Sequence, residues 1–282
     1  MNKTKKRALL IVWIAIVALL AAACVLTGLG GEKAETIQET MRDAVLHESN
    51  QISLFGLKEV NPALISGMVV TVVLLVAAAL IRIFAIPRFK YVPGKFQMVI
   101  EQVVGLFDNL AKSNSPWRHG FLGAYIFGAG VYIFVGTLFE LFGFQVVTTS
   151  GHSVALPAPL SDVNAAIAMG CLSYLIIMSG GIAGNGVRGI GKTLKEFSLP
   201  ISMSFRLFGA LLSGLLVTEL VYYYIHLSFV LPVVVAVLFT LLHALIQTYV
   251  LTMLTALYYG EVSEPSHKEP KKAKAEKAQT AA

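Results

Sequence analysis

Residues 63–86 read ALISGMVVTVVLLVAAALIRIFAI, an apolar run whose one charged side chain is Arg82. The hydrocarbon core of a bilayer is about 30 Å thick, so a helix that crosses it needs about 20 mostly apolar residues. A transmembrane β-strand would instead show about 10 residues of alternating polarity. This stretch therefore predicts a membrane-spanning helix, and it decides the fold class.

Five more apolar runs of similar length accompany it. They lie at about residues 8–29, 121–147, 163–182, 197–225 and 229–259. Of the 282 residues, 56% are apolar and 13% are charged, whereas a soluble domain carries about 25% charged residues. So little charge argues against a soluble enzyme, a disordered tail and a nucleic-acid-binding module. We expect an all-α polytopic membrane protein with about six transmembrane helices, an N-terminal anchor helix followed by a core of five.

The basic residues alternate between the connecting segments, which predicts how the helices are oriented. Residues 82–118 carry six basic and two acidic side chains, residues 32–59 carry three basic and six acidic ones, and residues 148–161 carry none. Because loops rich in Lys and Arg stay in the cytoplasm, both termini are predicted to be cytoplasmic. We divide the chain into an anchor helix or signal segment at 1–31, an outer-side amphipathic segment at 32–62, a membrane core at 63–260 and a basic cytoplasmic tail at 261–282.

The first apolar run has a second interpretation. Its basic start and the small residues Ala21–Cys24 are also compatible with a cleaved signal peptide. Because the apolar run continues past Cys24 to Leu29, we favour an uncleaved anchor.

Residues Gly186–Thr193 match the spacing of a phosphate-binding P-loop. That motif binds nucleotides only between a strand and a soluble helix, where backbone N–H groups surround the phosphates. Here an apolar span precedes the motif and no soluble domain follows it. We expect a Gly-rich cytoplasmic turn, with no nucleotide, cofactor or metal bound. Cys24 and Cys171 have no metal-binding spacing either.

Span five carries the strongest functional candidate, Arg206, because an ionisable group inside the bilayer is costly and is functional by default. A rotation of about 100° per residue places several small residues on the same face, namely Ser202, Gly209, Ala210 and Ser213. Such a face lets another helix approach closely. Glu219 points elsewhere on the helix, so it is not expected to pair with Arg206.

Span six places His243 and Gln247 one turn apart on one face. A short link near residues 226–228 makes spans five and six an antiparallel hairpin. Arg206 and Gln247 each lie about 20 residues from that link, which predicts that they sit at equal depth. Glu219 and His243 then lie nearer the outer side, where they would form a polar pathway.

Two acids near the predicted outer ends of spans are further candidates. Glu140 lies late in span three, and Asp162 precedes span four. Each either lines an outer vestibule or caps a helix end, a role for which Asp is well suited.

The stretch EFSLPISMSFRLFG at 196–209 closely resembles the signature helix of subunit a of the F-type ATP synthase. Gln247 stands at the position of that family's membrane glutamine. The segment VPGKFQ at 92–97, with Glu101 after it, and the segment from Pro157 to Asn164 are similar to further motifs of the family. The resemblance covers about residues 53–260, in the same order.

This resemblance implies a stator subunit beside a rotating ring of c subunits. Two half-channels would carry ions, expected to be protons, to and from the ring. Arg206 would separate the half-channels and interact with the ring carboxylate, with Gln247 and Ser202 beside it. Gly209, Ala210 and Ser213 would face the ring on a long tilted hairpin of spans five and six.

The family also implies partners and a location. The partners are the c ring, b-type peripheral stalk subunits, membrane lipid and, indirectly, the F1 sector. The complex would make or hydrolyse ATP in a bacterial plasma membrane, while this chain would catalyse no bond chemistry itself.

Three positions depart from the family pattern. Ala210 stands where the family usually has Asn, Leu215 where it often has an acid, and Glu140 where it commonly has Asn. We therefore expect Glu219 and His243 to form the outer relay, with Glu140 as a further candidate.

Two other functional classes fit a multi-pass chain. An ion-coupled secondary transporter would show internal repeats or helices broken near mid-membrane, and the sequence contains no repeat. A membrane scaffold or enzyme without an ion path would leave Arg206 on its small-residue face unexplained.

Overall fold

The computed structural model describes residues 52–54, 57–116, 118–147, 153–223 and 231–264, together with the single helical positions Ala15, Ala18 and Ala22. The strands are β1 (Ile52–Leu54), β2 (Leu57–Val60), β3 (Gln145–Val147) and β4 (Ser153–Ala155). The helices are α1 (Pro62–Leu80), α2 (Lys95–Asn114), α3 (His119–Phe139), α4 (Val163–Asn185), α5 (Val187–Lys195), α6 (Ser198–Tyr223) and α7 (Leu231–Ser263). The strands form two antiparallel hairpins, β1 with β2 and β3 with β4.

Four described helical segments are long and apolar enough to cross a membrane. They are Pro62–Arg88, His119–Phe142, Val163–Asn185 and Val237–Ser263. A fifth is present if α5 and the part of α6 up to Gly214, which meet at a bend of 51°, count as one span. The prediction of an all-α polytopic membrane protein is confirmed. The predicted first span at 8–29 lies outside the described residues except for three alanines.

The start of α1 follows from its local sequence. The Asn61 side chain accepts a hydrogen bond of 2.9 Å from the Ala63 N–H, and Pro62 occupies the first turn, where its missing N–H is no loss. One side of the helix is buried at Ala63, Ser66 and Val70, while most of its other side chains are exposed. In a bilayer those exposed apolar side chains contact lipid.

The third predicted span ends earlier than the sequence suggested. The run was predicted to continue to residue 147, but the helix stops with a 3-10 turn at Glu140–Phe142. Gly143 then adopts a left-handed conformation with φ of 59°, which ends a helix and which glycine tolerates best. The apolar residues after it belong to strand β3, which pairs with β4.

Helix α2 has no counterpart among the predicted spans. It is amphipathic, with Phe107 and Ala111 buried and Val99 and Val103 exposed. Gln97 fixes the chain before it, because its amide accepts from the Lys90 N–H and donates to the Lys90 carbonyl. The segment at 92–97 that resembles a family motif thus leads into the first turn of a helix.

The P-loop-like segment is a helix where a turn was expected. Gly186 has φ of 60°, and α5 begins directly after it. The Thr193 hydroxyl donates to the Gly189 carbonyl at 3.0 Å, and the Tyr174 hydroxyl donates to the Thr193 carbonyl at 3.0 Å. Since helix α4 precedes the segment and Thr193 is fully buried, it lacks the strand–loop–helix geometry of a nucleotide site. The turn consists of Gly186 alone. Helix α5 then packs back onto α4, because Gly189 has no side chain at its close contact with Gly181.

The chain divides into two compact units. The first comprises residues 1–88, 131–168 and 204–249. Its core contains Val70, Phe139 and Leu156, with Ile65 and Tyr132 packed against them. The second comprises residues 89–130, 169–203 and 250–282.

The second unit is held together by close helix contacts at glycines. A Cβ atom at Gly130 would meet the Phe107 ring at 2.6 Å, and one at Gly260 would overlap the Asn114 carbonyl. Similar contacts join Gly180 to Tyr259 and Gly184 to Ser263. Small residues let helices approach closely inside a membrane, and here the space they leave is filled.

Candidate functional site

Arg206 lies on an exposed face of α6. Its side chain is exposed, as are Ser202, Gly209 and Ser213 on the same face. A Cβ atom at Gly209 would find nothing within 4 Å, so the surface beside the arginine is smooth and open. The Ser213 hydroxyl donates to the Ala210 carbonyl within the helix, which leaves the guanidinium as the dominant polar group of this face.

The inward side of α6 explains why the arginine points outward. Met203, Leu207 and Leu211 recur every four residues and are 2%, 1% and 4% exposed. These apolar side chains define the buried stripe of the helix. Arg206 lies off that stripe, and within the described part of the chain it has no ion-pair partner.

Gln247 and His243 lie on α7. Gln247 is 5% exposed, and among the described residues its amide has no hydrogen-bond partner. The His243 ring is half-buried and lies 5.9 Å from the Phe239 ring, measured between centroids. A buried amide without a partner is unusual in a folded protein, which marks Gln247 as a functional candidate.

Helices α6 and α7 approach each other at Gly214 and His243. A Cβ atom at Gly214 would lie 3.4 Å from Nδ1 of His243. Continuing the antiparallel register from this contact places Gln247 level with Ala210, about 6 Å along α6 from Arg206 at a rise of about 1.5 Å per residue. The sequence predicted equal depth for Arg206 and Gln247. The register set by the contact differs from that by about one helical turn.

The register of α6 and α7 places Gln247 beside position 210, which departs from the family pattern. Ala210 replaces the usual Asn, and it is the residue that the register places beside Gln247. An alanine there presents only a methyl group at that level of α6.

The remaining predicted residues lie apart from this cluster. Glu219 belongs to α6, but its side chain lies outside the described residues. Glu140 begins the 3-10 turn after α3 and is half-buried. The Asp162 carboxylate accepts a hydrogen bond of 3.1 Å from the Asn164 N–H, so it caps the start of α4 as the capping alternative predicted. Arg206, Gln247 and His243 thus share the α6–α7 pair, whereas Glu140 and Asp162 lie at the ends of other helices.

Several polar contacts between spans could not be predicted from the sequence. The Tyr125 hydroxyl and the Ser173 hydroxyl are 2.8 Å apart. The Asn185 amide donates to the carbonyls of Val262 and Glu264, each at 2.9 Å, and so holds the end of α7. The Asn-Gly pair at 185–186 was a signal for a helix end, but nothing in the sequence indicated its partner.

Metal binding has no support in the described ranges. No group of three His, Cys, Asp or Glu side chains comes together there in an arrangement that could hold a metal ion.

A family model described as ATP synthase A chain matches residues 65–260. The match begins in α1 and ends in the last turn of α7, so it includes the Arg206 face and the whole α6–α7 contact. It extends over well more than half of the 282 residues. The chain therefore belongs to the family of the ATP synthase A chain, which is subunit a of the F-type ATP synthase.

Proposed function

We propose that Arg206 separates two half-channels and interacts with a membrane carboxylate of the c ring as the ring rotates past α6. Family membership supports the coarser statement, that the chain is a membrane subunit of the proton-translocating sector. The observation that carries the finer proposal is the exposure of Arg206 on an open small-residue face, with no ion-pair partner in the described chain.

The charge of Arg206 suits this role physically. A ring carboxylate can face lipid only when it is neutral, because an isolated charge there is too costly. In front of a fixed cation its pKa falls and it releases its proton. Arginine remains protonated even where it is poorly solvated, so it holds the positive charge throughout the cycle and blocks direct passage of protons between the half-channels.

The small residues beside Arg206 supply the steric part of the proposal. Gly209, Ala210 and Ser213 present little side-chain volume, so a ring helix can pass close to α6. Moving one elementary charge across the membrane is worth about 2.3 kcal/mol per 100 mV. That energy would drive rotation, and no bond is made or broken by this chain.

Gln247 and His243 are proposed to extend the polar path from Arg206 along α7. By the register of the Gly214–His243 contact, Gln247 lies about one helical turn along α6 from Arg206, and its amide has no partner in the described part of the chain. His243 lies one turn further along α7, where it contacts Gly214. We place Glu219, and at greater distance Glu140, on the outer continuation of this path.

The proposed partners and location follow the family. The chain would assemble with the c ring and b-type stalk subunits in a bacterial plasma membrane, with both termini in the cytoplasm. An ion-coupled secondary transporter would favour a helix broken near mid-membrane. The bent pair among the described helices breaks between Lys195 and Ser198, at the basic end predicted to be cytoplasmic.

The test is Arg206→Ala in the assembled complex, with Arg82→Ala as the matched control. Arg82 is also an exposed arginine of a predicted span, but it lies in the π-helical turn after α1. We expect Arg206→Ala to abolish ATP-driven proton pumping in inverted vesicles while the ATPase activity of the detached F1 sector is unchanged. Arg82→Ala should pump like the parent. Normal pumping by Arg206→Ala would refute the proposal.

A further inference from the structure

A cavity of about 450 Å³ lies in the second unit. Its lining residues come from the start of α3, the last turns of α4 and the last turns of α7. They are Arg118, Gly120, Phe121, Ser179, Ala183 and Tyr259. A volume of this size is within the range of about 300–1,000 Å³ typical of ligand sites. Arg118 and Ala183 are exposed, so the cavity opens at the protein surface.

The buried wall of the cavity contains an unsatisfied polar group. Tyr259 is 3% exposed, and its ring lies against Gly180. Among the described residues its hydroxyl has no hydrogen-bond partner. Because a buried donor without an acceptor is unfavourable, the hydroxyl favours a ligand that brings an acceptor atom into the cavity.

The electrostatics of the cavity favour an anion. Arg118 lies close enough to the Tyr259 hydroxyl to interact with it electrostatically, and none of the described lining residues is acidic. The N–H groups of Gly120 and Phe121 are in the first turn of α3, where they lack intrahelical acceptors and carry the positive end of the helix dipole. That turn contains no acidic residue. The Ser179 hydroxyl already donates to the Ile176 carbonyl.

The position of the cavity near the predicted cytoplasmic helix ends favours a lipid headgroup as the anion. All three helix ends that form it are the ends predicted to be cytoplasmic, and the cavity lies within two turns of them. Phe121 is 59% exposed and Ile182, beside Ala183, is 46% exposed, so exposed apolar side chains adjoin the cavity. This is the layout of basic pockets that bind lipid headgroups between transmembrane helices.

We propose that this cavity binds the phosphate group of an anionic phospholipid of the cytoplasmic leaflet. Arg118, the Tyr259 hydroxyl and the first N–H groups of α3 hold the phosphate oxygens, and Phe121 and Ile182 contact the acyl chains. The site is independent of the Arg206 face and of the ion path proposed above.

The test counts the phosphatidylglycerol molecules that the full-length chain retains in detergent, by native mass spectrometry over a lipid titration. Arg118→Gln removes the charge, Tyr259→Phe removes the hydroxyl while keeping the ring against Gly180, and Ala183→Phe fills the cavity. Arg88→Gln is the control, since Arg88 is an exposed arginine that does not line the cavity. We expect Arg118→Gln to weaken the tightest lipid site about fivefold, because one basic residue near the surface contributes about that much.

Ala183→Phe should remove the same site although the charge is retained, and Arg88→Gln should leave it unchanged. Equal losses for Arg118→Gln and Arg88→Gln, or no loss for Ala183→Phe, would overturn the proposal. A second titration uses inorganic phosphate on the lipid-free chain. Tight binding there that Arg118→Gln removes would mean that the cavity takes soluble phosphate, and it would overturn the assignment to lipid.

Discussion

Small residues have opposite roles on the Arg206 face and in the second unit. On α6, Gly209 lies beside Arg206 and the space over it is open. In the second unit, Gly260 lies against the Asn114 carbonyl and Gly180 against the Tyr259 ring. A small-residue stripe in a membrane helix can therefore mark either of two kinds of surface. Where a neighbour of the same chain fills the space, the glycine holds the fold together. Where the space stays open, as at Gly209, we propose that a helix of another chain passes close to it.

The largest effect on stability is expected at Gly260. In Gly260→Ala the new Cβ would overlap the Asn114 carbonyl, and a backbone atom cannot swing aside as a side-chain tip can. Overpacking of this kind typically destabilises by about 1–3 kcal/mol, and we expect the upper end of that range or more. Denaturation of the isolated chain in detergent, followed by helical circular dichroism, measures the change.

The matched control for that experiment is Gly209→Ala. Its Cβ would find nothing within 4 Å, so the isolated chain should be as stable as the parent or slightly more stable, because alanine favours a helix over glycine by about 1 kcal/mol. Equal destabilisation by the two variants would remove the distinction between filled and open glycines.

The sequence predicted the membrane spans well where apolar length alone decides. The run at 63–86 became the span Pro62–Arg88, because lipid exposure needs only apolar side chains over enough residues. The same criterion failed after Gly143, where apolar residues form strand β3. Helix α3 ends because Gly143 adopts a left-handed conformation. The pattern of apolar residues gives no information about that backbone geometry. Helix α2 was missed since it is amphipathic and not uniformly apolar.

The candidate site could be predicted in part, for a similar reason. Arg206 was identified by residue type, since a charge in an apolar helix stands out by itself. The position of Gln247 relative to α6 could not be predicted in the same way, because the register of two antiparallel helices depends on where they touch. The contact between Gly214 and His243 joins residues far apart in the sequence and is visible only in the folded structure. Tyr259 was not noticed at all, since its unpaired hydroxyl appears only when three helix ends come together.

A smaller loss of stability is expected at Gly130. Its Cβ would lie 2.6 Å from the Phe107 ring and 3.2 Å from the Thr252 methyl group. The nearest atoms are at the tip of an aromatic side chain, which can shift, so Gly130→Ala should destabilise the isolated chain by about 1 kcal/mol. Thermal unfolding in detergent measures it.

Phe107→Leu supplies the control for Gly130→Ala. Removing the ring should relieve the clash, so the double variant should lose less stability than the two single losses combined, as expected for residues in contact. Additive losses would show that the ring does not fill the space over Gly130.

The smallest effect is expected at Gly214. Its surroundings are less crowded than those of Gly260 and more crowded than those of Gly209. Its Cβ would be 3.4 Å from Nδ1 of His243, a tight contact with a half-buried ring that has some freedom to move. Gly214→Ala should change the stability of the isolated chain by no more than about 0.5 kcal/mol, because the helix-forming gain of alanine offsets the crowding. The stability of Gly209→Ala, measured in the same way, gives that gain without any neighbour. The difference between the two variants therefore reports how closely α6 and α7 pack beside His243. A loss as large as that of Gly260→Ala would mean that α6 and α7 meet more tightly at Gly214 than the 3.4 Å distance indicates.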